Sequence, residues 1–311
     1  MLSVPNLMRR VVRRECDLHQ RMLEPGFNAS WDGVRLRVDG CRLDQISLGH
    51  ARGCFARRSV ALVGDSLTRY QYLNLVHFLA NGEWESPEPP NERERSHGSW
   101  EQFYATTNAR MGGHEVCDCY RDQDRLETIV EHRYFIDGDV RVSYRQAFGA
   151  RYPVAFHDLA ALNVSSCESG RCAQGLCRPG FCRSAENKGP LHAPGVLAGL
   201  VRSFPTTDVF VNAGHWWPEG MDAAVLIAEA KNGPRGTAFH WKTTTASQGV
   251  RRFDERALAA ALVDSGAFHG VFDAGVLTAG AVGHMWDDKH FEPAIYAGLN
   301  QALIAYVCSL G

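Results

Sequence analysis

Ser59-Val60-Ala61-Leu62-Val63-Gly64-Asp65-Ser66-Leu67-Thr68-Arg69-Tyr70 changes its period partway along. The run up to Val63 is apolar and largely β-branched, as in a fully buried strand, and it stops at Gly64. From Leu67 the apolar residues fall at Leu67, Tyr70, Leu73, Val76, Phe78 and Leu79, which is helical spacing. The stretch predicts a buried strand ending at Gly64 and a helix opening at about Ser66. Asp65 and Ser66 are both residue types that cap helices, and Gly-Asp-Ser alone says no more than that. A serine in that place also sits beside the unpaired N–H groups of the first helical turn, which can hold an anion or a developing oxyanion. Two later segments favour the chemical reading.

Elsewhere the chain alternates short apolar runs with helical segments. Strands are predicted at Tyr134–Ile136 and Val140–Tyr144 around an Asp-Gly-Asp turn, at Thr207–Val211, at Thr237–Thr243 and at Gly270–Asp273. Helices are predicted at Pro194–Phe204, Asp222–Lys231, 253–265 and Glu292–Cys308. Such alternation gives an α/β fold of three layers, α/β/α, with a mostly parallel sheet. Residues 1–58 read as an irregular segment packed on that core, with a small hairpin over Trp31–Gly40 held by cysteines. Residues 81–130 are polar and read as a surface loop, part of a lid, and 163–190 as a cysteine-rich insertion.

A length of 311 residues, 45% hydrophobic and 22% charged, suits one large domain with insertions. A net charge of −2 provides no field that would favour nucleic acid. Of ten cysteines, Cys167, Cys172, Cys177 and Cys182 recur every five residues, Cys117 and Cys119 flank one residue, and Cys16, Cys41, Cys54 and Cys308 are dispersed. Neither Cys-x2-Cys nor His-x3-His pairs occur, so no metal site is expected, and disulfides in an oxidising compartment are. The sequons Asn28-Ala29-Ser30 and Asn163-Val164-Ser165 point the same way. No apolar leader precedes Cys16 and no run could span a membrane, so the expectation is that a targeting segment or anchor is missing from the sequence.

In a parallel sheet, function collects at the carboxyl ends of the strands. Ser66 falls just past one such end and Asn212 past another, in Val211-Asn212-Ala213-Gly214-His215-Trp216-Trp217. The third segment, His284-Met285-Trp286-Asp287-Asp288-Lys289-His290, lies between the last strand and the last helix. Asp287 and His290 are three apart, so the carboxylate can reach one ring nitrogen and leave the other for a nucleophile. His284 with Asp287 or Asp288 is a rival pair.

Together, Gly64-Asp65-Ser66-Leu67, Asn212-x-Gly214-His215-Trp216-Trp217 and Asp287-x-x-His290 resemble the SGNH (GDSL-type) hydrolase superfamily. The middle block and Gly64–Gln71 closely resemble the plant trichome-birefringence-like proteins of the PC-esterase group, which acetylate cell-wall polysaccharides; Cys41 and Cys54 are similar to cysteines that precede the first block there. The likeness spans about residues 30–310. The chain departs from that family in Lys289, where serine or cysteine is usual, in the four-cysteine insertion, and in lacking a clear glycine block, for which Gly149 is the candidate.

The resemblance implies an O-acetyltransferase working through an acyl-enzyme on Ser66, with His290 as base and Asp287 as its orienting carboxylate. Ser66 N–H, the Asn212 side chain and Gly149 would form the oxyanion hole. His215, Trp216 and Trp217, with Asp65 and Arg69, would lie on the substrate side, Asp65 more as a brace for the turn. An acetyl donor such as acetyl-CoA would be co-substrate with no resident cofactor, a polysaccharide or glycan would be the acceptor, and the Golgi lumen or another part of the secretory pathway the setting. No nucleic-acid partner is expected, and membrane contact only through a missing anchor. An acetylesterase with the same triad, and an inactive glycan-binding module, are the alternatives.

Overall fold

Val60–Gly64 is strand β3, buried along its whole length, and Ser66–Asn81 is helix α3. Asp65 stands between them as the helix cap, its carboxylate accepting the Leu67 N–H, and Gly82 closes the other end in a left-handed conformation. From Val60 to Val76 every residue is buried except Ser66. The structure, a computed structural model, describes residues 16–43, 46–84, 100–120, 129–156, 186–202, 206–216, 218–248 and 255–310. Cys167, Cys172, Cys177, Cys182, the Asn163 sequon and Trp217 lie outside them.

Seven strands form the main sheet. Besides β3 they are β4 (Glu115–Tyr120), β5 (Val130–Asp137), β6 (Val140–Gln146), β9 (Asp208–Val211), β10 (Ala238–Lys242) and β11 (Gly270–Phe272), in the order β11-β10-β9-β3-β6-β5-β4, while β7 (Ala155–Phe156) and β8 (Glu186–Asn187) pair separately. The five from β11 to β6 are parallel, and β5 and β4 complete the edge antiparallel. After β3 the chain builds β4–β6 on one side, then crosses to build β9–β11 on the other. The sheet therefore reverses direction at β3, the place where open α/β sheets form a crevice. Gly64 pairs with Gln146 and Val63 with Val211, so the carboxyl ends of β6, β3 and β9 meet at one edge.

Alternation along the strands makes the layers. Val60 and Leu62 of β3, Val142 and Tyr144 of β6 and Phe210 of β9 join a core with α2 (Leu48–Arg57), α3, α8 (Ala274–Thr278) and α9 (Pro293–Ser309). Ala61, Val63, Val209, Val211 and Trp241 face the other way, against α5 (Val196–Arg202), α6 (Ala223–Lys231) and α7 (Glu255–Asp264). The fold is thus α/β, with helices on both faces of a mostly parallel sheet.

Two expectations need correction. Residues 1–58 are not irregular where described: α1 (Leu18–Arg21), the hairpin of β1 (Ala29–Asp32) and β2 (Arg35–Val38), and α2 all lie there. The hairpin turns at Gly33, while Gly40 bends β2 toward Cys41, which is bonded to Cys16. The segment 81–130 is not only loop, since α4 (Trp100–Arg110) and the edge strand β4 come from it. Glu115 from this segment is an internal partner: Arg133 of β5 reaches it at 2.8 Å and Glu131 of the same strand at 2.9 Å, all three fully buried.

Further disulfides join Cys117 to Cys119 within β4 and Cys54 of α2 to Cys308 of α9. The last closes a separation of 254 residues. Replacing Cys54 and Cys308 by serine is expected to lower stability by up to about 5 kcal/mol, read as an earlier guanidinium midpoint under oxidising conditions. An unchanged midpoint would mean that this cross-link contributes nothing.

Candidate active site

The first turn of α3 opens at the reversal point of the sheet, and its construction comes from three strands. From β6, the buried Tyr144 hydroxyl lies 3.2 Å from both the Gly64 and the Asp65 carbonyls. From the β9 end, the His215 N–H donates to Asp65 Oδ2 at 3.2 Å, while Asp65 Oδ1 takes the Leu67 N–H at 3.1 Å. Gly214 has φ +63°, and a Cβ there would run into the Asp65 carboxylate. The close approach requires glycine on both counts.

Ser66 is left partly exposed on this scaffold. Its Oγ lies 2.8 Å from His290 Nε2. On the other side of the ring, Nδ1 is 2.6 Å from Asp287 Oδ2. Asp287 Oδ1 accepts the backbone N–H groups of Lys289 at 2.7 Å and His290 at 2.6 Å. Burial alone would raise the Asp287 carboxyl, but these hydrogen bonds from His290 and Lys289 outweigh it and hold the group below its ordinary value. With Asp287 ionised, Nδ1 carries the hydrogen and Nε2 is the acceptor facing Ser66. The arrangement can take a proton from Ser66 and return it to a leaving group.

His284 does not compete for this role. It lies 3.6 Å from Glu292 at the start of α9, and its carbonyl accepts the Glu292 N–H. Lys289 has its side chain at the surface beside Asp288.

Other expected site residues sit differently. Asn212 is fully buried: its Nδ2 donates to the Lys242 carbonyl at 2.8 Å and to Thr244 Oγ1 at 3.3 Å, and its Oδ1 takes the Gly214 N–H and the Thr68 hydroxyl. Both amide hydrogens are committed inside the fold, so Asn212 braces the β9 turn where an oxyanion donor was expected. Gly149 has φ +59°, and a Cβ there would strike the Trp216 carbonyl, so the close approach of two loops accounts for this glycine. Asp65 and Arg69 are not substrate-side residues. Asp65 is buried as the brace just described, and buried Arg69 turns to Glu131 of β5 at 3.0 Å. His215 and Trp216 are partly exposed, the indole packing edge-on to Phe148 and Tyr152.

Sequence reasoning passed over Tyr144, Tyr70 and Trp286. Tyr70 meets the His290 ring edge-on and Trp286 lies flat against it. Tyr70 was legible only as a core position of α3, and Trp286 only as a neighbour of Asp287.

Among the described residues, His50, Cys54 and Cys308 have metal-ligand spacing, but the two sulfurs are bonded to each other. Among those residues no helix is long and apolar enough to cross a membrane. Comparisons with protein-family models, curated proteins and solved structures return no match for this chain.

Two outcomes follow from these contacts. Asn212→Ala should lose about 2–4 kcal/mol of stability by leaving the Lys242 carbonyl and Gly214 N–H unsatisfied; a denaturation midpoint equal to the parent's would rule out the bracing role. Since the folded-state pKa of Asp287 is depressed, its contribution is present above the unfolded value of about 3.9 and lost as pH falls through the lower folded value. Carbon-13 NMR should place its titration midpoint below about 3.9, and a midpoint at or above that figure would contradict the hydrogen-bond geometry.

Proposed function

We propose that the chain is a serine-dependent O-acetyltransferase of the SGNH type, moving an acetyl group to a hydroxyl of a polysaccharide or glycan. The observation that carries the reading is the continuous path from Ser66 Oγ through His290 to Asp287, with steps of 2.8 and 2.6 Å. The resemblance of the three sequence blocks to the trichome-birefringence-like proteins supports the acetyl group and the glycan acceptor.

In this mechanism His290 Nε2 takes the Ser66 proton as Oγ attacks the acetyl carbonyl. The tetrahedral oxyanion meets the Ser66 N–H at the positive end of α3, a first-turn donor with no intrahelical acceptor. Imidazolium returns the proton to the leaving group, a thiol if the donor is a thioester such as acetyl-CoA. A sugar hydroxyl then gives its proton to His290 and attacks the acyl-serine, so the acetyl group leaves on the acceptor and Ser66 is restored. The loop after β6 leaves from the same sheet edge, its Ala147 N–H donating to the Gly64 carbonyl, and Gly149 on that loop would supply a further oxyanion donor. His215 and Trp216 would contact the acceptor, since aromatic faces pack on sugar rings. The disulfides, and the exposed Asn28 ahead of β1, support a secretory-pathway or Golgi setting.

One observation favours hydrolysis as a second reading: the side chains of His290 and Asp287 are 18% and 34% exposed, so the site as it stands is open to water. Incubation with an acetyl donor and an oligosaccharide panel separates the two. Transfer predicts acetylated sugar, hydrolysis predicts free acetate, and a binding module yields neither. Whichever acceptor is used, Ser66→Ala should abolish turnover and Asp287→Asn should reduce kcat by about four orders of magnitude. Full activity in Ser66→Ala would eliminate the proposal.

A further inference from the structure

His290 has a face covered as well as its two nitrogens engaged. The indole of Trp286 lies against the imidazole, with ring centroids 4.9 Å apart and planes within 19° of parallel. Tyr70, one turn along α3 from Ser66, approaches both rings edge-on, at 5.3 Å from His290 and 5.9 Å from Trp286. Trp286 is anchored through its side chain and its backbone. Its Nε1–H donates to the Phe291 carbonyl at 2.8 Å, and the Trp286 backbone N–H donates to the His290 carbonyl at 3.1 Å. A bridge between Met285 and Phe291 closes the loop around it.

Stacking on an indole is worth little to a neutral imidazole and more to an imidazolium. The negative face of the ring quadrupole attracts a cation, and Trp provides the strongest such face among the side chains. His290 is cationic while it holds the Ser66 proton, so the contact strengthens at the step where stabilisation accelerates the reaction. The titratable groups that face the ring are Asp287 on its own loop and Ser66 and Tyr70 on α3, with Tyr296 of α9 behind Tyr70. Asp287 stabilises the cation through the ring edge. Trp286 is the aromatic face set flat against the ring.

We propose that Trp286 is a positioning residue that acts through His290, stabilising the imidazolium formed when Ser66 gives up its proton and fixing the plane of the ring. The role rests on the triad reading above. Its chemistry adds no step: one proton passes from Ser66 Oγ to His290 Nε2, and Trp286 forms and breaks no bond.

The test is an NMR titration of the His290 ring in the full chain without substrate, for the parent, Trp286→Phe and Trp286→Leu. The midpoint should fall in that order, by about half a pH unit for leucine. Loss of packing alone would admit water and move it upward, because a better solvated ring protonates more readily. A midpoint unchanged or raised in both variants overturns the proposal. If the leucine variant does not fold, the phenylalanine variant still decides, since it keeps an aromatic face but loses the anchor to Phe291. With p-nitrophenyl acetate as probe, kcat should fall about threefold or more in Trp286→Leu with KM little changed; an unchanged kcat would contradict the role. A parent enzyme that turns over nothing defeats the triad reading instead, and the titration order would still report on the stacking.

Discussion

The carboxylate of Asp65 ties together the ends of two neighbouring strands. One oxygen caps α3 through the Leu67 N–H, and the other holds the turn after β9 through the His215 N–H. Tyr144 adds the third strand by engaging the carbonyls of Gly64 and Asp65. Because β6, β3 and β9 converge on this one junction, the N-terminus of α3 cannot shift without disturbing all three. Asn212 serves the same end from beneath, spending both amide hydrogens on β10 and the residues after it. Ser66 is what the construction leaves facing outward.

The helix behind Ser66 is fixed with equal firmness. α3 is buried on nearly every side, an arrangement that usually excludes charge. Arg69 breaks the rule, and with the Tyr72 hydroxyl it completes a buried network: Arg69 to Glu131, Glu131 to Arg133, Arg133 to Glu115, and Glu115 to Tyr72. Burial pushes the Glu115 carboxyl up even with Arg133 beside it, a sign of how costly the setting is for charge. Such a network contributes less to net stability than to a unique register, since any slip of α3 against β4 and β5 would strand a charge. The histidine side of the site differs. Asp287 and His290 sit on a partly exposed loop held by its own hydrogen bonds and by the indole of Trp286, so a firmly fixed serine faces a more locally held histidine.

What the sequence made legible follows from the range of the interactions involved. The β3–α3 junction declares itself because a change of hydrophobic period is local, and so do β9, β10 and β11, short apolar runs between helices. Helix α2 escaped notice because its buried face is only Ala51, Cys54 and Phe55, interrupted by Gly49 and Gly53. The segment carrying α4 and β4 looked like loop because Glu115 reads as surface until Arg133, 18 residues on, is brought against it. Arg69 was put on the substrate side by motif resemblance, and its partner Glu131, 62 residues away, left no local sign to the contrary. Motif resemblance named Asn212 but could not say which acceptors its amide would find. The spacing of Asp287 and His290 did carry their contact, because a pair three residues apart needs little help from the rest of the fold.

All of this comes down to whether Ser66 is a nucleophile made reactive by His290. Mass spectrometry after treatment with a fluorophosphonate, an agent that modifies activated serines, measures that directly. The account predicts a single adduct on the peptide containing Ser66, lost in a folded His290→Ala variant. An unlabelled Ser66, or one labelled equally well without His290, would contradict it.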